Sequence, residues 1–378
     1  MQFSSLPLAA RLGLASSLLL LAACEKDSDT RIGAVLPATI NFSDANSPAA
    51  GLYPEGVQYD DQQGRFLVGS QTAGRIGQVR DTGQNDKGQD GKDLGYATGS
   101  YAVFTDDDLL VSSVGLKLDV PRGRLLVAVS DPGYNTGRTK PTTLNQLARL
   151  VVFDRSNGTK ISSVELSALP TSFAKHFAND IAIDNQGNAY VTDSFAPVIY
   201  KVTFTSTGVG TASIFATAAD TSALAAPAGQ FGLNGIVYHP NGYLLVANSA
   251  KGTLLKVTVP VVVPPTASQP NPVLVPSRTT KVTLPAGLSL LNADGLQLTA
   301  NTVLLAACNA QGKVYQLTST DDFVTVATPK SYDTGGGYPT TLARRAASTS
   351  YVLQAHLDAL QAKLPPVSTY ALKKVVFQ

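Results

Sequence analysis

The sequence predicts an all-β chain closed into a six-bladed β-propeller, and three observations carry that expectation. Five segments repeat one grammar at spacings of about 55 to 65 residues: a small polar or acidic residue usually followed by Gly, then three short apolar strands separated by tight polar turns. Within them Val, Ile, Leu and Tyr alternate with polar residues, the period of half-buried antiparallel strands, and Asn-Gly and Gly-Asn turns break the runs. Long helical periodicity is missing, and the 378 residues, less an N-terminal export segment, divide into six units of about 59.

Composition removes several function classes. With 44% hydrophobic residues, 32 Gly and 22 Pro, the chain is too apolar and too rich in turns to be disordered. Its 29 Lys+Arg and 27 Asp+Glu are scattered, so there is no basic footprint and no nucleic-acid partner is expected. Two Cys and three His cannot build a disulfide framework or a Cys-rich zinc site, so any metal must be held mainly by oxygen.

Residues 1–23 read as an export signal: Arg11, the apolar run Leu12 to Leu21, then Ala22-Ala23 before Cys24. The apolar run is short for a membrane-spanning helix, which needs roughly 20 residues. Leu21-Ala22-Ala23-Cys24 resembles the lipobox of bacterial lipoproteins, in which cleavage precedes a Cys that is then lipidated. The resemblance implies a lipid anchor on Cys24, a solvated tether over 24–30 and a location in the bacterial cell envelope; an ordinary secretory signal is the alternative. Residues 31–378 form the expected propeller, nearly neutral and monomeric.

The clearest repeat runs Asn179-Asp180-Ile181-Ala182-Ile183-Asp184, a turn at 185–188, Ala189 to Asp193, then Val198 to Val202. The same order starts from Glu55-Gly56, Val114-Gly115, Asn234-Gly235 and Asp294-Gly295. A sixth unit spans Tyr338 to Val376, where 350–364 reads as strand, with a capped amphipathic helix as the alternative. Two interruptions read as loops inside a blade: polar, Gly-rich Asp81 to Lys92, and Val259 to Pro276 with six prolines. A calcium loop starting at Asp86 fails, because Gly88 and Ala97 stand where ligands are needed.

Glu55, Asn179, Asn234 and Asp294 occupy one place in four repeats, immediately before the innermost strand begins. Ring closure would bring them to one end of the central channel. Taken singly, each is ordinary turn chemistry; together, two carboxylates and two amides form an oxygen-only donor set that favours a hard cation, calcium first, then magnesium or manganese.

Pro54-Glu55-Gly56, Ala178-Asn179-Asp180, Leu233-Asn234-Gly235-Ile236 and Ala293-Asp294-Gly295-Leu296 resemble the metal motifs of the regucalcin (senescence marker protein) and gluconolactonase family, calcium-dependent six-bladed propellers. The resemblance covers most of the chain after the signal and is strongest over 176–318. It implies that Glu55, Asn234 and Asp294 ligate calcium and that Asn179 completes the site or holds substrate. It also implies hydrolysis of a lactone or related ester; the attacking water would be deprotonated by Asp294 or lowered in pKa by the cation. The sugar lactonases of that family carry an Arg two residues before the Asn of the third blade; here Phe177 stands there, which points to a more apolar substrate. His176 beside it is the nearest candidate for an added acid or base, or else a satisfied loop histidine.

His239 and His356 read as structural or surface residues, and Cys308 as a small buried apolar side chain. Asp193, Asn248 and Asn309 read as equivalent turn residues ending second strands. No Gly-x-Ser-x-Gly elbow, phosphate loop or His-Glu-x-x-His helix is present. Two other functions fit the same residues: a non-catalytic binding or scaffold propeller riveted by its metal, and a metal-free Glu55/Asp294 acid and base pair acting on glycosides.

Overall fold

The computed structural model describes residues 36–45, 51–81, 98–265, 269, 271–327, 330–346 and 348–378. The expected export signal, Cys24, its tether and the loop from Asp86 to Ala97 lie outside the described residues. Six four-stranded antiparallel sheets are each ordered from the channel outward, and their inner strands contact one another in a closed ring. Blades 1 to 5 occupy residues 57–105, 112–165, 178–217, 233–281 and 293–333. Blade 6 uses Pro339–Ala346, Thr349–Gln354 and Tyr370–Lys374, and takes its outer strand, Thr39–Phe42, from the other end of the chain. Ile40 lies opposite Leu372, so the ring is latched by backbone pairing between distant segments. That short strand carries no repeat signature.

Six hydrophobic clusters fill the six spaces between blades. The second strand of each blade divides its side chains between two of them by parity. Leu125 and Val127 pack toward blade 1, while Leu126 and Ala128 pack toward blade 3. Leu244 and Val246 face blade 3, and Leu245 and Ala247 face blade 5. Burial on both faces explains the unbroken apolar runs of these strands, and the expected alternation survives in an outer strand such as Thr39–Phe42. Buried ion pairs add links between blades: Arg155 of blade 2 binds Asp60 of blade 1 through Nε at 3.0 Å, and Arg345 of blade 6 binds Asp81.

Residues 350–364 are partly strand and partly helix. Thr349–Gln354 is the second strand of blade 6, with Tyr351, Val352 and Leu353 fully buried, and Leu357–Gln361 forms a short helix after it. The proline-rich stretch builds an extra hairpin, Val261–Val263 against Val273–Val275, between the third and fourth strands of blade 4.

Near the axis, the inner strands of blades 2 to 6 carry a β-bulge in their first residues. In blades 3, 4 and 5 the bulge contains Asn179, Asn234 and Asp294, so these residues lie within the strand and not before it. The extra residue re-aims a side chain out of the ladder and toward the channel. The following position packs against the next blade. A Cβ on Gly56, Gly115 or Gly235 would lie 2.3, 2.2 and 2.2 Å from the carbonyl oxygens of Val114, Asn179 and Asp294. The Asn-Gly and Asp-Gly pairs therefore mark a bulge and a close backbone approach. Where Gly is absent, a hydroxyl makes the link: Thr192 donates to the Asn234 carbonyl at 2.7 Å, and Thr340 and Thr341 donate to the Glu55 carbonyl at 2.8 and 2.7 Å.

Gly235→Ala should therefore cost about 1–3 kcal/mol of stability in denaturant unfolding. Gly137→Ala, whose nearest neighbour would be 3.6 Å away, should be close to neutral. Equal effects would mean that the blades relax apart at little cost.

Candidate functional site

The bulges converge on one cavity of about 350 Å³. Glu55, Asn179, Asn234 and Asp294 all line it, each at most 5% exposed, so the four residues singled out by the repeat meet in space. Val114 holds the same ring position in blade 2, without a polar atom. Both carboxylate oxygens of Glu55 and the amide oxygens of Asn179 and Asn234 are buried without a hydrogen-bond partner. Buried polar atoms are usually satisfied, and an orphaned carboxylate is the costliest exception.

The charges reinforce one another. Burial, then the charges of Asp294 and Asp180, raise the Glu55 pKa well above the ordinary carboxylate value. Burial also pushes Asp294 up to about 6, although a 3.2 Å hydrogen bond from Asn309 Nδ2 to its Oδ2 pulls the other way. Asp180, in the position that holds Gly in blades 1, 2, 4 and 5, is raised to about 6 by burial; it accepts the Ile181 and Ile236 amides at 2.8 and 3.0 Å. Asn179 is oriented by donating from Nδ2 to Ser194 Oγ at 2.9 Å, which leaves its carbonyl oxygen free.

Among the described residues no group of three or more His, Cys, Asp and Glu side chains forms a metal cluster. The donor set here is two carboxylates and two amides. Its unpaired oxygens, and the proximity of Glu55 to Asp294, suit an oxygen-seeking divalent cation.

Phe177 lines the cavity as expected, but His176 does not and is corrected. Its Nδ1 lies 2.8 Å from Asp193 Oδ2, its Nε2 lies 3.1 Å from the Phe173 carbonyl, and Tyr200 Oη is 3.1 Å from Nδ1. Burial alone would lower its pKa, but the Asp193 carboxylate and the hydrogen bonds raise it overall. Both ring nitrogens are engaged, which makes it a structural histidine. His239 is buried at the end of an inner strand, with Nε2 2.7 Å from the Asn301 carbonyl, and His356 precedes the short helix. Cys308 is fully buried in the core between blades 4 and 5.

The sequence suggests that Asn309 shares the place of Asp193 and Asn248, but it does not. Strand register shows the true equivalents to be Asp193, Asn248 and Cys308, opposite Ala178, Leu233 and Ala293. Asn309 is one residue further on, with Ser194 and Ser249, and that offset brings it to the cavity. Counting from the bulge in each repeat would have found it. Gln71, Tyr134, Phe231, Tyr338 and Leu357 also line the cavity, and no repeat signature marks them.

No protein-family model and no curated protein matches this sequence. Solved structures do match in fold. The major Malassezia sympodialis allergen Mala s 1 is similar at 18% identity and TM-score 0.62, over 90% of this chain and 97% of that one. A calcium-binding regucalcin from Agrobacterium tumefaciens is similar at 15% identity and TM-score 0.51, over 90% and 95%. A proposed gluconolactonase is similar at 14% identity and TM-score 0.50, over 91% and 95%. The chain shares the six-bladed propeller fold of the regucalcin and gluconolactonase structures. At these identities the likeness is one of fold.

In chelator, Glu55→Gln should raise the melting temperature by a few degrees, because it removes one of two mutually repelling buried carboxylates. An unchanged or lower value would show that the pair carries no such penalty.

Proposed function

We propose that the protein is a divalent-cation-dependent hydrolase of a lactone or related ester, with calcium as the cation. The observation that carries this reading is the set of four buried side chains from four blades, with unpaired oxygens on Glu55, Asn179 and Asn234, in one cavity beside Asp294. Glu55, Asn234 and Asp294 would hold the cation, and Asn179 would complete the set or bind substrate. Such a cation, when bound, polarises a carbonyl and stabilises the negative charge that develops on its oxygen.

The rest of the chemistry belongs to the chain. Asp294, held by Asn309, is the carboxylate that would accept a proton as water attacks the carbonyl carbon. The acyl carbon–oxygen bond then breaks, and the departing alkoxide takes up a proton to leave a hydroxy acid or an acid and an alcohol. Tyr338, whose hydroxyl burial pushes up to about 12, stays protonated at neutral pH and can donate to substrate oxygen. Phe177 and Phe231 make one wall apolar, which favours an apolar lactone or ester over a sugar lactone.

The run Leu12 to Leu21 and the sequence Leu21-Ala22-Ala23-Cys24 support export and lipid anchoring through Cys24 in a bacterial cell envelope. The ring latches on itself without a second copy, in keeping with a monomer.

A panel of aliphatic, aromatic and sugar lactones and aryl esters, assayed in calcium and then in chelator, tests the reaction. Asp294→Ala should lose calcium binding by calorimetry and at least about 100-fold in kcat/KM. Asp294→Asn, which keeps an oxygen ligand, should bind calcium weakly and still lose turnover. Retained turnover in Asp294→Ala overturns the assignment. Calcium that raises the melting temperature without any turnover across the panel would favour a non-catalytic binding propeller.

A further inference from the structure

A second cavity of about 170 Å³ adjoins the first, and nothing in the proposed chemistry uses it. Gly229 and Gln230 line both cavities, so one loop is their common wall. Two further contacts tie them together. Ser194, on the second cavity, receives the Asn179 amide at 2.9 Å. Phe195, also on the second cavity, packs against Phe177 and Phe231 of the first, with ring centroids 5.3 and 5.0 Å apart; Phe177 and Phe231 meet edge-on at 5.2 Å. The three rings form one continuous aromatic surface running from the oxygen cluster into the second cavity, and Phe231 is partly exposed between them.

Phe195, Pro197, Leu224 and Ala226 give the second cavity an apolar side, continuous with the three rings, and Asn145, Gln230 and Lys175 line it elsewhere. Apolar cavities of about 150 Å³ accept a benzene ring. The volume therefore suits a phenyl group or an alkyl chain of similar size, laid against the apolar side.

We infer that this cavity is a subsite for an uncharged apolar arm, aryl or alkyl, on a substrate whose reacting carbonyl sits among Glu55, Asn179, Asn234 and Asp294. The inference rests on the hydrolase reading for the head group; the arm's site stands on the cavity and the three rings. It names the substrate class: ring-substituted lactones or esters of phenyl or medium alkyl size, in preference to unsubstituted rings.

The test compares δ-valerolactone with its hexyl- and phenyl-substituted forms on the wild type and on Ala226→Phe, which fills the cavity from a surface loop. Wild type should prefer the substituted lactones by about ten-fold or more in kcat/KM. Ala226→Phe should erase that preference and leave the unsubstituted ring within about two-fold. Equal rates on all three substrates, or equal losses on all three in the variant, overturn the subsite. Binding of the hexyl-substituted lactam, which is not hydrolysed, is measured by calorimetry in chelator, free of any cation or turnover. Binding weakened about ten-fold by Ala226→Phe supports the subsite even if no lactone turns over, in which case only the hydrolase reading falls. No lactam binding to the wild type, or binding unaffected by the substitution, overturns it.

Discussion

Four of the six inner strands touch the next so closely around the axis that the neighbour's backbone sits where a side chain would otherwise begin. Gly56, Gly115, Gly235 and Gly295 permit this approach by lacking a Cβ, and threonine hydroxyls close the remaining gaps. This contact sets the distance between blades. It also requires the bulge, since only an out-of-ladder residue can turn its carbonyl sideways to the neighbour while its side chain enters the channel. The positions that hold the ring together are thus inseparable from the positions that furnish its chemistry.

The arrangement places unfavourable electrostatics where packing is strongest. Glu55, Asp180 and Asp294 are buried together, and each is pushed toward its neutral form. Left to themselves they would loosen the axis. Six inter-blade cores, filled by second strands buried on both faces, offset that cost and hold the oxygens in place. A rigid scaffold carrying unsatisfied oxygens is prepared for a ligand that the protein does not itself provide, and the apolar rings beside them shape what else can enter.

The fold was legible because its signals are local. Spacing, Asn-Gly and Asp-Gly pairs and short apolar runs gave the blades, and the recurrence of Glu55, Asn179, Asn234 and Asp294 at one repeat position gave the site. What escaped depends on relations that a linear reading does not contain. Thr39–Phe42 earns its place only by pairing with Tyr370–Lys374 at the far end of the chain. Asn309 resembles Asp193 and Asn248 in polarity only, because blade 5 holds the apolar Cys308 at their position. His176 sits beside Phe177 in the loop that precedes Ala178–Ile183, yet Asp193 captures the histidine while Phe177 lines the cavity. Phe195, Phe231 and Tyr338 lie outside the repeat grammar, so only the folded chain brings them to the cavities.

The central claim is that the four channel residues are a cation site, and a crystal grown in calcium tests it most directly. Anomalous scattering should reveal one ion in the cavity, about 2.3–2.6 Å from oxygens of Glu55, Asn234 and Asp294, with Asn179 beside it. A calcium-saturated crystal with only water among these four side chains, or with its ion elsewhere on the ring, would contradict the account.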